Sequence, residues 1–256
     1  MRLVGTTEGP VDLITDLSPL DTLATAQTRF ATVVKNRKNL TSAFGQFNMR
    51  KTGSPWRDAR LRRAANLAIN RQDLITYAAK DNGVILPGVL PVGSVGFDPG
   101  LAPYPFDPEQ ARRILAEAGY PDALPVRLIA FEGWEVLATV VSKMLEQVVF
   151  KVEQQVLAPD AYGKKVYLSH QDEPAEKQSW DIALTLWGDP INFPVFEYYG
   201  TFALDGASDW VEEQPELRRL YEDVMGTIDR ERQRSLMQQM ERHTHDQAYL
   251  FTGSRS

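Results

Sequence analysis

The residues best suited to chemistry follow a short alternating apolar run in the last third of the chain. They are Trp187, Asp189, Asn192 and Phe193, in the segment LWGDPINF. The alternation is typical of a strand, and the Gly-Asp-Pro sequence ends it. A carboxylate beside an indole at a strand end can hold an ammonium group, through a charge-assisted hydrogen bond and an aromatic wall. We therefore expect these four residues to bind a ligand; the competing interpretation is that Asp189 caps the turn before Pro190 and Trp187 lies in the core.

A second pair, Glu132 and Trp134, stands between a predicted strand at 126–131 and a predicted helix at 135–147. In open α/β sheets, ligands bind beyond the carboxyl ends of the strands. The pair is therefore a secondary candidate for the same cleft. Its alternative role is on the surface or in packing.

Catalytic and metal-binding motifs were sought in the sequence without success. It contains no GxSxG, P-loop, strand-linked GxGxxG or HExxH motif. Among the three histidines, His243 and His245 would share one side of a strand but not of a helix, and His170 is distant in sequence. We predict that the chain is not an enzyme and uses no cofactor or metal.

Composition narrows the class of protein further. The 256 residues are 43% apolar and 10% aromatic, enough for a packed core in one large or two small domains. A net charge of −6 and a pI near 5.2 argue against a nucleic-acid partner. The absence of cysteine excludes disulfides and thiolate catalysis. No run approaches the ~20 apolar residues of a membrane span, and the first residues lack the apolar core of a signal peptide, so we expect no membrane insertion and no signal in this chain.

The elements that must position these residues are organised around the segment 47–75. Pro55 is excluded from a helix interior, and Asp58 can cap the first turn of a helix that begins there. Asn70 provides a second cap for a short following helix. The spacing of four and three puts one apolar face on the first helix, made of Leu61, Ala65 and Ala68.

The rest of the chain alternates between the two-residue apolar period of strands and the 3.6-residue period of helices. Strands are predicted at 11–15, 43–49, 126–131, 152–157 and 182–186, and helices at 18–30, 108–118, 135–147, 215–225 and 229–240. Residues 83–108 form a loop rich in proline and glycine. Gly119 should end the helix before it in a left-handed conformation. In the helix 135–147 the buried stripe is predicted to be Val136, Val140, Met144 and Val148. The whole pattern indicates an α/β domain with a mixed sheet flanked by helices.

Three stretches also carry an ordered set of residues beyond these periodicities. The first has Phe47-Asn48, Pro55-Trp56, Asp58, Arg60, Arg62, Ala64-Ala65, Ala68 to Arg71 and Ile75; the second has Pro91, Gly93, Gly96, Phe97, Asp98 and Pro99; the third is Asp107-Pro108 through Gly119-Tyr120-Pro121. Together they resemble the family 5 extracytoplasmic solute-binding proteins, the peptide, dipeptide and nickel receptors of ABC importers. The resemblance covers roughly residues 11–251. It implies the periplasmic-binding-protein type II fold, represented by the C-terminal lobe with the N-terminal lobe absent.

By this resemblance, the chain would be the solute-binding component of an ABC importer for oligopeptides or a similar organic solute. Its partners would be that solute, the permease subunits and the missing N-terminal lobe, and its location periplasmic or extracellular. In the family's peptide receptors the residue matching Asp189 holds the peptide amino terminus, although this sequence is shorter there. The family has glycine where Val149 stands, which predicts strain if valine keeps a left-handed turn.

The domain organisation implied is a hinge-proximal segment at 1–42, a solute-binding lobe at 43–252 and a tail at 253–256. Two other functions stay open at the level of sequence. The chain could be a ligand-sensing effector domain of a regulator, or a receptor fragment that binds nothing.

Overall fold

The computed structural model describes residues 41–167, 173–188, 198, 210–212, 214–252 and 254–255. A five-stranded sheet in the order β4-β3-β5-β1-β6 forms its centre. The strands of this sheet are β1 (Thr41–Phe47), β3 (Leu124–Phe131), β4 (Phe150–Leu157), β5 (Ile182–Gly188) and β6 (Leu250–Thr252). A separate pair is formed by β2 (Val84–Ile85) and β7 (Ser254–Arg255). The predicted strand at 11–15 and helix at 18–30 lie outside the described residues.

The sheet is mixed. β3 runs parallel to β4 and to β5, whereas β1 is antiparallel to its two neighbours β5 and β6. The helices are α1 (Ala59–Ala68), α2 (Arg71–Asp73, continued by a π turn at Leu74–Ala78), α3 (Pro108–Glu117), α4 (Glu135–Glu146), α5 (Pro159–Val166), α6 (Pro215–Met225) and α7 (Arg230–Asp246). Three-residue 3-10 turns stand at Pro55–Arg57 and Ala175–Lys177. The predicted α/β class with a mixed sheet is confirmed.

The helix starts predicted in the segment 47–75 are confirmed in detail. The Asp58 carboxylate accepts a hydrogen bond from the Arg60 N–H at 2.8 Å, and the Asn70 side chain accepts from the N–H groups that follow it. The apolar face of α1 is fully buried, at Leu61, Ala65 and Ala68. Local side-chain chemistry therefore suffices to begin both helices.

Two arginines of the same segment are buried, and each donates to main-chain carbonyls. Arg62 donates to Trp56 O at 2.5 Å and to Gln247 O at 2.9 Å. Arg71 donates to Tyr104 O at 3.1 Å, and its burial lowers its pKa to about 10. The guanidinium groups tie the end of α7 and the proline-rich loop to α1, so these residues of the 47–75 segment have a structural role.

The core lies on both faces of the sheet. The larger cluster includes Val126, Leu128 and Ala130 of β3 and packs against α1, α3 and α4. The opposite face carries a smaller cluster made of Ile129, Tyr162, Val166, Trp180, Ala183 and Trp210. Alternate residues of β3 thus belong to different clusters, as the period of a central strand requires.

The predicted buried stripe of α4 is wrong in part. Val136 is 44% exposed, and the inner line of the helix consists of Ala138, Val141 and Leu145, with Met144 beside it. A strict spacing of four drifts around a helix with 3.6 residues per turn, whereas steps of three and four stay on one side. The mixed spacing is therefore the one that faces the sheet.

Val149 does not keep a left-handed conformation, so the strain that was predicted for that case does not arise. Outside glycine, the described residues with positive φ are Lys80, Asp81 and Ala248. Val149 instead leads directly into β4, and its carbonyl accepts from the Leu124 N–H at 2.9 Å. The helix still ends in a turn at 147–149, and Val149, its last residue, pairs with the start of β3. Gly119 does adopt the predicted left-handed conformation, with φ +95°.

Candidate solute-binding site

The carboxyl ends of β3 and β5 lie side by side at one end of the sheet, which we call its carboxyl edge. The two strands are parallel neighbours, with Leu128 opposite Ile182 and Ile129 opposite Ala183. Extending this register by two residues brings Phe131, the last residue of β3, level with Thr185. The residues that follow β3 therefore lie beside the end of β5, in the position where α/β sheets bind ligands.

Glu132 and Trp134 stand at this edge. The main chain of Glu132 is held by a hydrogen bond to Leu157 O at 2.9 Å, while its side chain is exposed. Gly133 then has φ +95°, which favours glycine, and its N–H donates to Glu135 Oε1 at 3.0 Å. That hydrogen bond lowers the pKa of the Glu135 carboxyl. The turn leaves a carboxylate exposed and directs the chain back over the sheet.

Trp134 is the first member of an aromatic row. The ring centroids of Trp134 and Phe131 are 4.4 Å apart. The next separations along the row are 5.3 Å from Phe131 to Tyr162 and 5.8 Å from Tyr162 to Tyr167. The row ends on β5, because the Tyr167 hydroxyl is hydrogen-bonded to Thr185 Oγ1. The row thus runs inward from Trp134, at the edge that carries Glu132, to Tyr162 and Thr185, which are 2% and 1% exposed.

Sequence reasoning did not identify Tyr162, Tyr167 or Thr185 as members of this row. Both tyrosines follow β4, the third parallel strand, so the rule that selected Glu132 and Trp134 also applies to them. The Tyr162 hydroxyl donates to Leu184 O at 2.7 Å, and burial raises its pKa well above the usual range. Tyr162 is therefore a neutral anchor of the row.

Of the four primary candidates for ligand binding, the structure describes only the main chain of Trp187. The main chain of Trp187 belongs to β5 and is opposite Ser42 of β1. Asp189, Asn192 and Phe193 lie outside the described residues. Their role as ligand-binding residues stays a prediction, and so does the competing role of Asp189 as a turn cap.

The opposite edge of the sheet carries an open cavity of about 500 Å³ that sequence reasoning missed. Its lining residues are Lys51, Pro55, Leu124, Pro125, Val126, Arg127, Lys151, Glu153 and Asp181. Lys51 Nζ lies 2.7 Å from Asp181 Oδ1, and the other oxygen of Asp181 accepts from the Arg127 N–H at 2.9 Å. These charges are paired with each other at the amino ends of the parallel strands, away from the edge that α/β sheets use for ligands. We therefore favour the carboxyl edge.

The described part of the chain offers neither a metal site nor a membrane-spanning helix. No group of three or more metal-ligating side chains occurs there. His243 and His245 lie on α7, a helix, where a spacing of two separates their directions. Within the described ranges, none of the helices combines the length and apolar character needed to cross a bilayer.

A family model connects this architecture with known proteins. The model of the bacterial extracellular solute-binding proteins, family 5 (middle region), matches residues 4–209. The chain belongs to this family. The resemblance drawn from the three motif stretches is thereby confirmed.

Individual proteins that are similar to this family 5 chain are also solute-binding proteins. The glutathione-binding protein GsiB of Salmonella typhimurium is 38% identical over 81 residues, which are 32% of this chain and 16% of GsiB. The periplasmic binding protein DppA of Helicobacter pylori, solved with the peptide STSA, has a TM-score of 0.73 at 19% identity and covers 87% of this chain. NikA of Staphylococcus aureus, solved with Ni(L-His)2, has a TM-score of 0.79 at 14% identity and covers 93%.

The family 5 chain spans 43% of the solved DppA chain and 50% of the solved NikA chain. The predicted periplasmic-binding-protein type II fold is confirmed by these likenesses. The ligands of these relatives, glutathione, a peptide and a nickel complex of histidine, differ from one another, so the family alone does not select the solute.

Proposed function

We propose that this chain forms a solute-binding surface of an ABC-importer receptor, at the carboxyl edge of β3 and β5. The observation that carries the proposal is the parallel register, which brings the residues after β3, Glu132 and Trp134, beside the end of β5. We propose that Trp187 and the following Asp189 line the same edge. Two carboxylates and two indoles that are distant in sequence would then share one edge.

The chemistry of this edge suits an organic solute with a cationic group, with an oligopeptide as the leading candidate. Glu132 offers an exposed carboxylate for an ammonium group, and Trp134 offers a flat apolar surface supported by Phe131. Asn192 and Phe193 would add an amide and a second ring. The ligands of GsiB and DppA, glutathione and a peptide, support the choice because both carry a free amino group.

The partners follow from the family. The receptor would act outside the cytoplasm, close with a second lobe around the solute and deliver it to permease subunits. Within this chain we propose residues 43–252 as the lobe and 1–42 as its hinge-proximal segment. Transport is favoured over catalysis because the family is defined by solute binding.

A ligand-observed NMR titration of this chain tests the proposal, because it detects millimolar binding. The probes are glutathione, the peptide Ser-Thr-Ser-Ala and Ni(L-His)2. Glu132→Ala and Asp189→Ala should each weaken binding of the preferred probe severalfold. Glu153→Ala is the matched control, since Glu153 is an exposed carboxylate at the opposite edge.

The control also identifies the alternative outcomes. Weakening by Glu153→Ala but not by Glu132→Ala would move the site to the 500 Å³ cavity. Absence of binding for all three probes would favour the fragment that binds nothing.

A further inference from the structure

Leu186 is an exposed leucine on a strand that has neighbours on both sides. β5 pairs with β3 and with β1, so its side chains can meet solvent only on a face of the sheet. From Ile182 to Thr185 these side chains are at most 1% exposed, whereas Leu186 is 43% exposed. Among the described side chains of the five-stranded sheet, no other large hydrophobic one is left exposed. An uncovered leucine on a central strand, at the edge that α/β sheets use for ligands, indicates a contact with something outside the lobe.

The strand register places Leu186 beside Glu132. Phe131 at the end of β3 is level with Thr185, and both belong to the aromatic row on one face of the sheet. The next residue of each strand turns to the other face, so Glu132 and Leu186 are level with each other on the side away from the row. Glu132 still follows the path of the strand, because its N–H donates to Leu157 O at 2.9 Å. An exposed carboxylate and an exposed leucine are therefore neighbours on one face.

Ala43 continues the apolar part of this surface onto β1. It is the antiparallel partner of Leu186 and is only partly buried. Side chains of directly paired residues lie on the same face. The face thus offers a carboxylate on β3 and apolar area on β5 and β1. Neighbouring strands lie about 4.8 Å apart, a separation that the amino group and the side chain of a single amino-acid residue can span.

We propose that Leu186, with Ala43 beside it, determines specificity and selects peptides whose first residue has an apolar side chain. The ammonium group of such a peptide pairs with Glu132, and the side chain of the same residue packs on Leu186. Charge complementarity favours this occupant, because a negative group next to apolar area matches a cationic group attached to an apolar one. The proposal rests on the proposed function and deepens it, since the proposed function accounts for the amino group of the solute but for no side chain.

The test compares three peptides in the NMR titration of the unaltered chain: Leu-Thr-Ser-Ala, Ser-Thr-Ser-Ala and Ser-Thr-Ser-Leu. The second is the peptide bound by DppA, and its first residue is polar. We expect the first peptide to bind about three- to tenfold more tightly than the other two, because only its first residue places apolar area next to the ammonium group. The third peptide has the same composition as the first and controls for unspecific apolar binding.

Variants of Leu186 then show whether this residue is the source of the preference. Leu186→Thr should remove the preference for the first peptide, whereas Leu186→Val keeps an apolar surface and should retain most of it. Threonine and valine both suit a strand, so the fold should tolerate either. Ile228→Thr is the matched control, because Ile228 is an almost fully exposed aliphatic residue between α6 and α7, and it should leave the preference as it is.

The outcomes separate this proposal from the proposed function. Equal affinities for the three peptides would overturn the selectivity while peptide binding stands, and Leu186 would then be assigned to a contact with another part of the receptor. A preference for the first peptide that survives in Leu186→Thr would also overturn it, and so would equally tight binding of the peptide that ends in leucine. Binding of none of the peptides is a different result, which removes the proposed function and the selectivity together.

Discussion

Trp134 packs against Phe131 with ring centroids 4.4 Å apart and an interplanar angle of 39°. The contact folds the residues after β3 back onto the end of that strand, and the exposed Glu132 stands between the two rings in sequence. An apolar wall and a carboxylate are thereby presented together, which is the combination that recognition of an ammonium-bearing solute requires.

Trp134→Ala should weaken binding of the preferred probe about tenfold, because it removes the wall but leaves Glu132. The cost in stability should be smaller than for a core tryptophan, about 1–3 kcal/mol, since Trp134 is only partly buried. NMR titration and urea denaturation measure the two effects. Val136→Ala is the control, an exposed residue on the same helix. Equal affinities for the unaltered chain and Trp134→Ala would show that the wall does not contact the solute.

Asp58→Ala should lower the free energy of unfolding by about 0.5–2 kcal/mol, because the first turn of α1 loses its cap. The variant removes the hydrogen bond from the Arg60 N–H at 2.8 Å and also the ion pair with the Arg60 guanidinium at 2.6 Å, which is exposed and adds little. Asp58→Asn keeps an acceptor oxygen and should cost much less. Denaturation midpoints of the three proteins decide the matter, and equal midpoints would mean that the cap contributes nothing.

Glu241 should make the folded state less stable as the pH rises from about 4.5 to about 7. Burial raises its pKa from 4.5 to about 7 in the folded state, so in this range the folded chain binds more protons than the unfolded chain. The contribution is greatest below the unfolded pKa and is lost above about 7, on the order of 1–3 kcal/mol.

The measurement compares the free energy of unfolding of the unaltered chain and of Glu241→Gln at a pH below and a pH above this range. Glutamine does not titrate, so the variant should lack this part of the pH dependence. Parallel pH profiles for the two proteins would show that folding does not shift the pKa of Glu241.

This chain by itself should bind its solute weakly, with a dissociation constant near the millimolar range. A receptor of two lobes closes around its solute and excludes water, whereas one exposed edge leaves an ion pair worth only ~0–1 kcal/mol. Loss of about half of the roughly 8 kcal/mol of a micromolar complex leaves a millimolar one. Calorimetry with glutathione and Ser-Thr-Ser-Ala provides the check: a micromolar signal abolished by Asp189→Ala would show that one lobe suffices.

The sequence alone determined where several helices begin and end. Asp58 and Asn70 begin helices because their side chains reach N–H groups two or three residues away, and Gly119 ends one because it lacks a Cβ. The bounds of α6 were also predicted, since its apolar residues recur at helical spacing. Such interactions lie within a few residues of one another, so the printed order of residues contains them. The family, too, was recognised from local motifs.

Only the tertiary structure decided which distant residues meet. The strand order places the end of β3 beside that of β5, so the residues that follow β3 lie next to that strand. Nor did the sequence reveal that Glu241 accepts from Leu90 and Tyr198, because hydrogen bonds between residues so far apart leave no periodic signal. Pairing of β-strands and burial of carboxylates depend on how the whole chain packs, and a pattern read over a few turns or one strand does not contain that information.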